Sequence, residues 1–173
     1  MTTSLYELTV PNYLQILAGV SGVLAKGAAH FESTGMNADD FVAVRLHDDM
    51  LPFQFQIASV AHHSLGAIEG LKAGQFSPSG AMHPQSYADL QKMIADTTAA
   101  LQALTADEVN ALSGKDMAFV MGTMRMPFTA EGFIHSFSMP NFYFHAATAY
   151  DILRTNGVKL GKRDFLGAMR MKA

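Results

Sequence analysis

Seven histidines in a chain without cysteine are the residues best suited to chemistry here, because a neutral imidazole binds divalent transition metals and exchanges protons near neutral pH. The lack of cysteine removes disulfide frameworks, thiolate metal sites, iron–sulfur clusters and cysteine nucleophiles together. Asn141 and His145 stand four residues apart, with Thr148, Ala149 and Ile152 continuing the same helical face, so both polar groups can project inward at one level of a bundle. An imidazole is a good ligand and a carboxamide oxygen a poor one. His62 and His63 are adjacent, roughly 100° apart on a helix, so at most one of them faces a given partner. His63 lies on the flank of Ser59, Gly66, Ala67 and Gly70, where another helix can come close, and is assigned the inward role. One reading is a site between facing helices built from His63, His145 and Asn141, with open positions for water or substrate. The plainer reading is two histidines hydrogen-bonded in a helical core without metal. The residues alone favour the second, since no His-Glu-x-x-His motif is present.

The other histidines are weaker candidates. His47-Asp48-Asp49 could bind a cation, but just before Pro52 it reads better as acidity at a helix start. His30 and His83 read as surface or loop residues. His135, ten residues before His145, falls on a different face and stands in reserve. Dinucleotide and phosphate-loop glycine motifs and the Gly-x-Ser-x-Gly elbow are absent, so nothing supports a nucleotide cofactor or serine hydrolase chemistry. A net charge of -3 without a basic block gives no nucleic-acid footprint.

These groups must be positioned by helices. The 173 residues suit one domain, 1–173, large enough to bury a core without a metal or disulfide. Leu14, Leu17, Leu24 and Phe31 mark a first long helix from Pro11 to Phe31, with Pro11 in its first turn. Its Gly19, Gly22, Ala25 and Ala29 imply a closely packed partner. Asn37 caps a short helix through about Leu46. A second long helix runs from Pro52 to about Lys72. The stretch Ala73 to Pro84 reads as a loop, the expected mobile segment. Ser86 and Asp89 cap a third helix striped by Leu90, Met93, Ile94, Thr97, Leu101 and Leu104. Thr105 and Glu108 open a helical turn that Gly114 ends.

From Asp116 to Thr129 the apolar period becomes two. Met117, Phe119 and Met121 alternate, Gly122-Thr123 turns, and Met124, Met126 and Phe128 alternate back, which predicts one small β-hairpin with Pro127 on an edge strand. Its Met and Phe residues read as core cover or partner surface. Helix resumes at Thr129, and Pro140 kinks it or starts the fourth long helix, which Asn156-Gly157 terminates. The basic tail 158–173 docks through Phe165 and Leu166. Charged residues make up 16%, against about 25% on average, so much of the surface is small or apolar and a homodimer is expected. The N-terminus has no signal-peptide pattern, and no 18-residue apolar stretch is seen, so no membrane partner and, by default, a cytoplasmic location are expected.

One long stretch carries a family resemblance: Pro140-Asn141-Phe142-Tyr143-Phe144-His145, then Thr148 through Arg154, Asn156-Gly157-Val158 and Gly161 through Gly167. With Leu5-Tyr6, Val10-Pro11, Asp49-Met50 and Gln56-Ile57-Ala58 before His63, nearly the whole chain resembles the bacterial domain-of-unknown-function family numbered nineteen ninety-three. That resemblance implies the wider DinB and YfiT-like group: mainly α, a DinB-like four-helix bundle, often dimeric, here with one small β-hairpin between the third and fourth long helices. Many members hold a divalent metal (zinc, nickel or manganese) with three histidines, one on the second helix and two, spaced by four, on the last. His63 and His145 match two of them and Asn141 stands where the third would be, which implies weakened affinity. The resemblance fixes the fold and leaves two activities open: a weakly metal-dependent hydrolase or transferase, and a metal-free dimeric small-molecule-binding or oligomerisation protein.

Overall fold

A computed structural model describes residues 3–80 and 85–172. The first helix, α1, spans Leu5–Thr34. It starts six residues before the expected Pro11, because the Ser4 hydroxyl accepts the Glu7 N–H and caps it there. Pro11 therefore lies inside the helix, and the carbonyl it leaves without an intrahelical donor belongs to exposed Glu7, within reach of water. α1 is also long and apolar enough to span a membrane, contrary to the sequence expectation, but half of its most apolar window is buried by neighbouring elements, as in a core helix. Tyr13, Leu17, Leu24 and Phe31 are all but fully buried.

α2 is one turn, Ala38–Phe41, shorter than expected, with Asn37 as its cap. The second long helix of the sequence reading is two helices: α3, Phe53–His62, and α4, Leu65–Ala73. A short strand β1, Gln75–Phe76, follows where only a loop was expected, and the end of that expected loop, including His83, lies outside the described residues. α5, Tyr87–Gln102, has the Ser86–Asp89 capping box and buries Leu90, Ile94, Thr97 and Leu101 as the stripe requires. α6, Ala106–Asn110, has the Thr105–Glu108 box.

The hairpin forms where the period-two pattern places it: β2 is Asp116–Met121 and β3 is Met124–Thr129, with Met121 opposite Met124. Gly122 at φ +59 supplies the left-handed turn conformation. β1 adds to β2 in parallel, giving the order β1-β2-β3 and leaving Pro127 on the edge. α7, Ala130–Phe133, runs into a π-helical turn, Ile134–Ser138, and then α8, Met139–Thr155, with Pro140 in its first turn. α9, Lys162–Leu166, docks on α1, where Gln15 Nε2 donates to the Leu166 carbonyl at 2.9 Å and Lys26 pairs with Asp164 at 2.6 Å.

The four long helical stretches α1, α3–α4, α5 and α8 enclose one apolar core, as expected of a four-helix bundle with a small hairpin between the third and fourth, to which β1 adds a third strand. The small residues of α1 do not share a packing face. Gly19 meets α9, Gly22 faces open space, and Ala25 and Ala29 are exposed.

Candidate functional site

The break between α3 and α4 creates the site. His63 leaves helical geometry at φ −83, ψ 3, and Ser64 turns further to φ −109, ψ −84. Ser64 Oγ donates back to the Val60 carbonyl at 2.7 Å and satisfies one of the α3 end groups. The His63 carbonyl accepts a buried 2.9 Å bond from Ser138 Oγ. Ser138 closes the π-helical turn before α8, so two local helix defects, 75 residues apart in sequence, are pinned to each other beside the same side chains. Removing the hydroxyl in Ser138→Ala leaves that carbonyl without its buried donor. Urea unfolding should show a loss of about 1–3 kcal/mol, and an unchanged midpoint would mean that water replaces the hydroxyl.

His63 and His145 face one cleft of about 250 Å³ between α3, β1 and α8. Their ring centroids are 5.8 Å apart with planes 15° from parallel. Gln56, buried in α3, donates from Nε2 to the Leu51 carbonyl at 2.8 Å, which turns its Oε1 toward His145 Nδ1 at 2.7 Å. An acceptor there keeps the proton on Nδ1 and leaves the Nε2 lone pair free. His63 Nδ1 is buried with no hydrogen-bond partner among the described residues. Burial, then the nearby His145 and His62, lower the His63 pKa to about 3, and burial lowers that of His145 to about 4. Both rings are neutral at pH 7, the form that binds metals or accepts protons.

Asn141, one turn before His145, also lines the cleft. Its Nδ2 donates to the Phe137 carbonyl at 2.7 Å, leaving Oδ1 as the available donor atom. The donor set of two neutral imidazoles and one amide oxygen is chemically that of a weakly held ion, and the buried His63 Nδ1 has no other partner among the described residues. Among the described residues no group of three or more His, Cys, Asp or Glu side chains is arranged to hold a metal ion.

His62 also reaches the cleft, against the expectation that only one of the two adjacent histidines would. The 100° separation holds only within a continuous helix, and α3 ends at His62. Its Nε2 bonds the Ser77 carbonyl at 2.8 Å while its ring packs on Phe76 at 4.3 Å. Outside the cleft, His135 is exposed on the π-helical turn, and His30 packs beside Phe31. His47 and Asp49 pair with each other at 2.6 Å on the surface, and the first turn of α3 holds no acidic residue to serve as the expected helix-start charge.

Sequence reasoning did not single out Gln56 or Ser138 for the site, nor the aromatic walls Phe55, Phe76, Phe119 and Phe137. A glutamine between Phe53 and Ile57 on a buried helical stripe was a readable sign. Ser138 offered none, since its role depends on a contact with a distant helix break.

The family profile described as Domain of unknown function (DUF1993) matches residues 5–166. No curated protein matches the chain. Among solved structures, a DinB family member protein from Shewanella denitrificans is 25% identical, with a TM-score of 0.79, covering 98% of this chain and 95% of that one.

Proposed function

The chain belongs to the DUF1993 family, and from that premise we propose that its cleft weakly holds a divalent transition-metal ion between His63 and His145, with Asn141 Oδ1 as a further donor, and serves hydrolysis or group transfer on a small molecule. The observation that supports this reading is the pairing of two neutral rings in one cleft, one with its proton fixed on Nδ1 by Gln56 and the other with an unpartnered buried nitrogen. Such an ion supplies Lewis acidity, making water or a thiol a nucleophile near neutral pH.

The chain's own residues do the rest. Gln56 holds the His145 ring and its proton, and Ser138 holds the backbone that presents His63. Phe55, Phe76 and Phe137 restrict water, and Ser59 and Ser79 offer hydroxyls to a ligand. Among the described residues no carboxylate lines the cleft to offset a dication, which is consistent with weak binding. Imidazoles favour zinc or nickel over manganese.

Calorimetric titration of tag-free protein with zinc and nickel tests the proposal. One ion per chain is expected, with binding reduced at least tenfold in His145→Ala and about 10–100-fold in Gln56→Leu. Asn141→His, which supplies a third imidazole, should tighten it. Wild-type protein that takes up neither ion overturns the proposal. The charge-free aromatic lining favours a second reading, a metal-free dimeric binding protein, and the exposed Ala25 and Ala29 of α1 leave room for a second copy. Sedimentation as a monomer would end the dimer.

A further inference from the structure

The apolar wall of the cleft continues beyond it. Phe76, Phe119 and Met126 stand in register across β1, β2 and β3, so their side chains share one face of the sheet. Two residues nearer the turn, Met121 and Met124 pair directly and occupy that same face. Phe76 and Phe119 line the cleft, and Met126 packs partly against the core. Met121 and Met124 reach solvent, 52% and 39% exposed. An apolar track therefore leads from the imidazoles past two phenyl rings to three thioethers. Arg125 belongs to the other face, opposite Val120, and among the described residues no Asp, Glu, Lys or Arg lines the cleft. Unbranched thioether side chains adapt to a variable apolar occupant better than branched ones. The cleft itself, about 250 Å³, is smaller than most small-molecule pockets, which span roughly 300–1,000 Å³. A chain of more than a few carbons would have to leave it, and the methionine face is the apolar way out.

Resting on the reading of the cleft as a ligand site, we propose that its substrate class is the uncharged amphiphile: a small polar head at His63 and His145, and an unbranched apolar tail over Phe119 onto Met126, Met121 and Met124. A metal-independent probe separates this from the proposed function. With chelator present, the neutral fluorophore N-phenyl-1-naphthylamine is bound to the protein and displaced by straight-chain primary alcohols from ethanol to decanol. Displacement should strengthen by roughly three- to fourfold per methylene, the usual gain for burying one. In the double variant Met121→Gln/Met124→Gln, whose sites are on the surface, the longer alcohols should lose that gain while the short ones compete as before. A probe that does not bind, a flat chain-length series, or a series unaltered in the double variant overturns the proposal. If neither zinc nor nickel binds while the chain-length series behaves as described, the metal reading falls and this one stands. Metal uptake with a flat series gives the reverse.

Discussion

Acidification from about pH 6.5 to about pH 4.5, with chelator present, is expected to remove on the order of 4 kcal/mol of folding stability. His63 and His145 are held neutral by burial, with pKa values of about 3 and about 4 in the fold against 6.5 in the unfolded chain. In that window the unfolded chain binds the more protons, so stability is complete above pH 6.5 and falls as the pH drops toward the folded values. Each group contributes about 1.4 kcal/mol per pH unit, and the total is reduced because His145 is partly solvated. Against a typical stability of about 5–15 kcal/mol this is a large share. Four carboxylates that the fold holds low lose their contribution at more acidic pH than the histidines do. The Ser86 hydroxyl holds Asp89 below its usual range, the Thr105 N–H does so for Glu108, the Ser113 hydroxyl for Glu131 and Lys26 for Asp164. Urea unfolding at a series of pH values measures the slope, and His63→Gln should flatten it. A free energy constant across the window would mean that the rings open to water in the native state.

A pair of substitutions on α1 should have opposite signs. A Cβ at position 27 would lie 2.3 Å from the Tyr87 hydroxyl and 2.9 Å from Leu153 Cδ2, where α1, α5 and α8 meet. Tyr87 is 2% exposed and donates to the Leu24 carbonyl at 2.9 Å, so it cannot retreat without giving up that bond. Overpacking at about 1–3 kcal/mol and a displaced buried hydrogen bond at about 1–3 kcal/mol exceed the helix-propensity gain of about 1 kcal/mol. Gly27→Ala is therefore expected to cost about 1–5 kcal/mol net. At Gly22, also inside α1, an added Cβ meets nothing within 4 Å. Gly22→Ala should raise stability by up to about 1 kcal/mol through propensity alone. Thermal and urea midpoints of the two variants test this, and equal effects at both positions would mean that the helices do not approach as described.

The helical elements were legible because their signals are local. Capping boxes at Ser86 and Thr105, the stripe through Leu90, Ile94, Thr97 and Leu101, and the Gly122-Thr123 turn between alternating residues each act within a few positions of the chain. The first helix starts earlier than Pro11 suggests because proline in the first turn is a common pattern but not an obligatory one, and the Ser4 hydroxyl caps the helix upstream of it. β1 was not legible. Two residues, Gln75–Phe76, carry no periodicity, and they become a strand only because β2 lies alongside.

The sequence by itself determined a mainly helical bundle and its hairpin register, and it singled out His63, Asn141 and His145, which line one cleft, since patterning and spacing act along one helix or one turn. Only the tertiary structure decided what those residues face. The interruption of α3 at His63, its tie to Ser138, the Gln56 amide that fixes the His145 proton and the phenyl walls all come from elements far apart in the chain. Contacts of that kind stabilise nothing until the core closes around them, and for that reason they leave no periodic trace in the order of the amino acids.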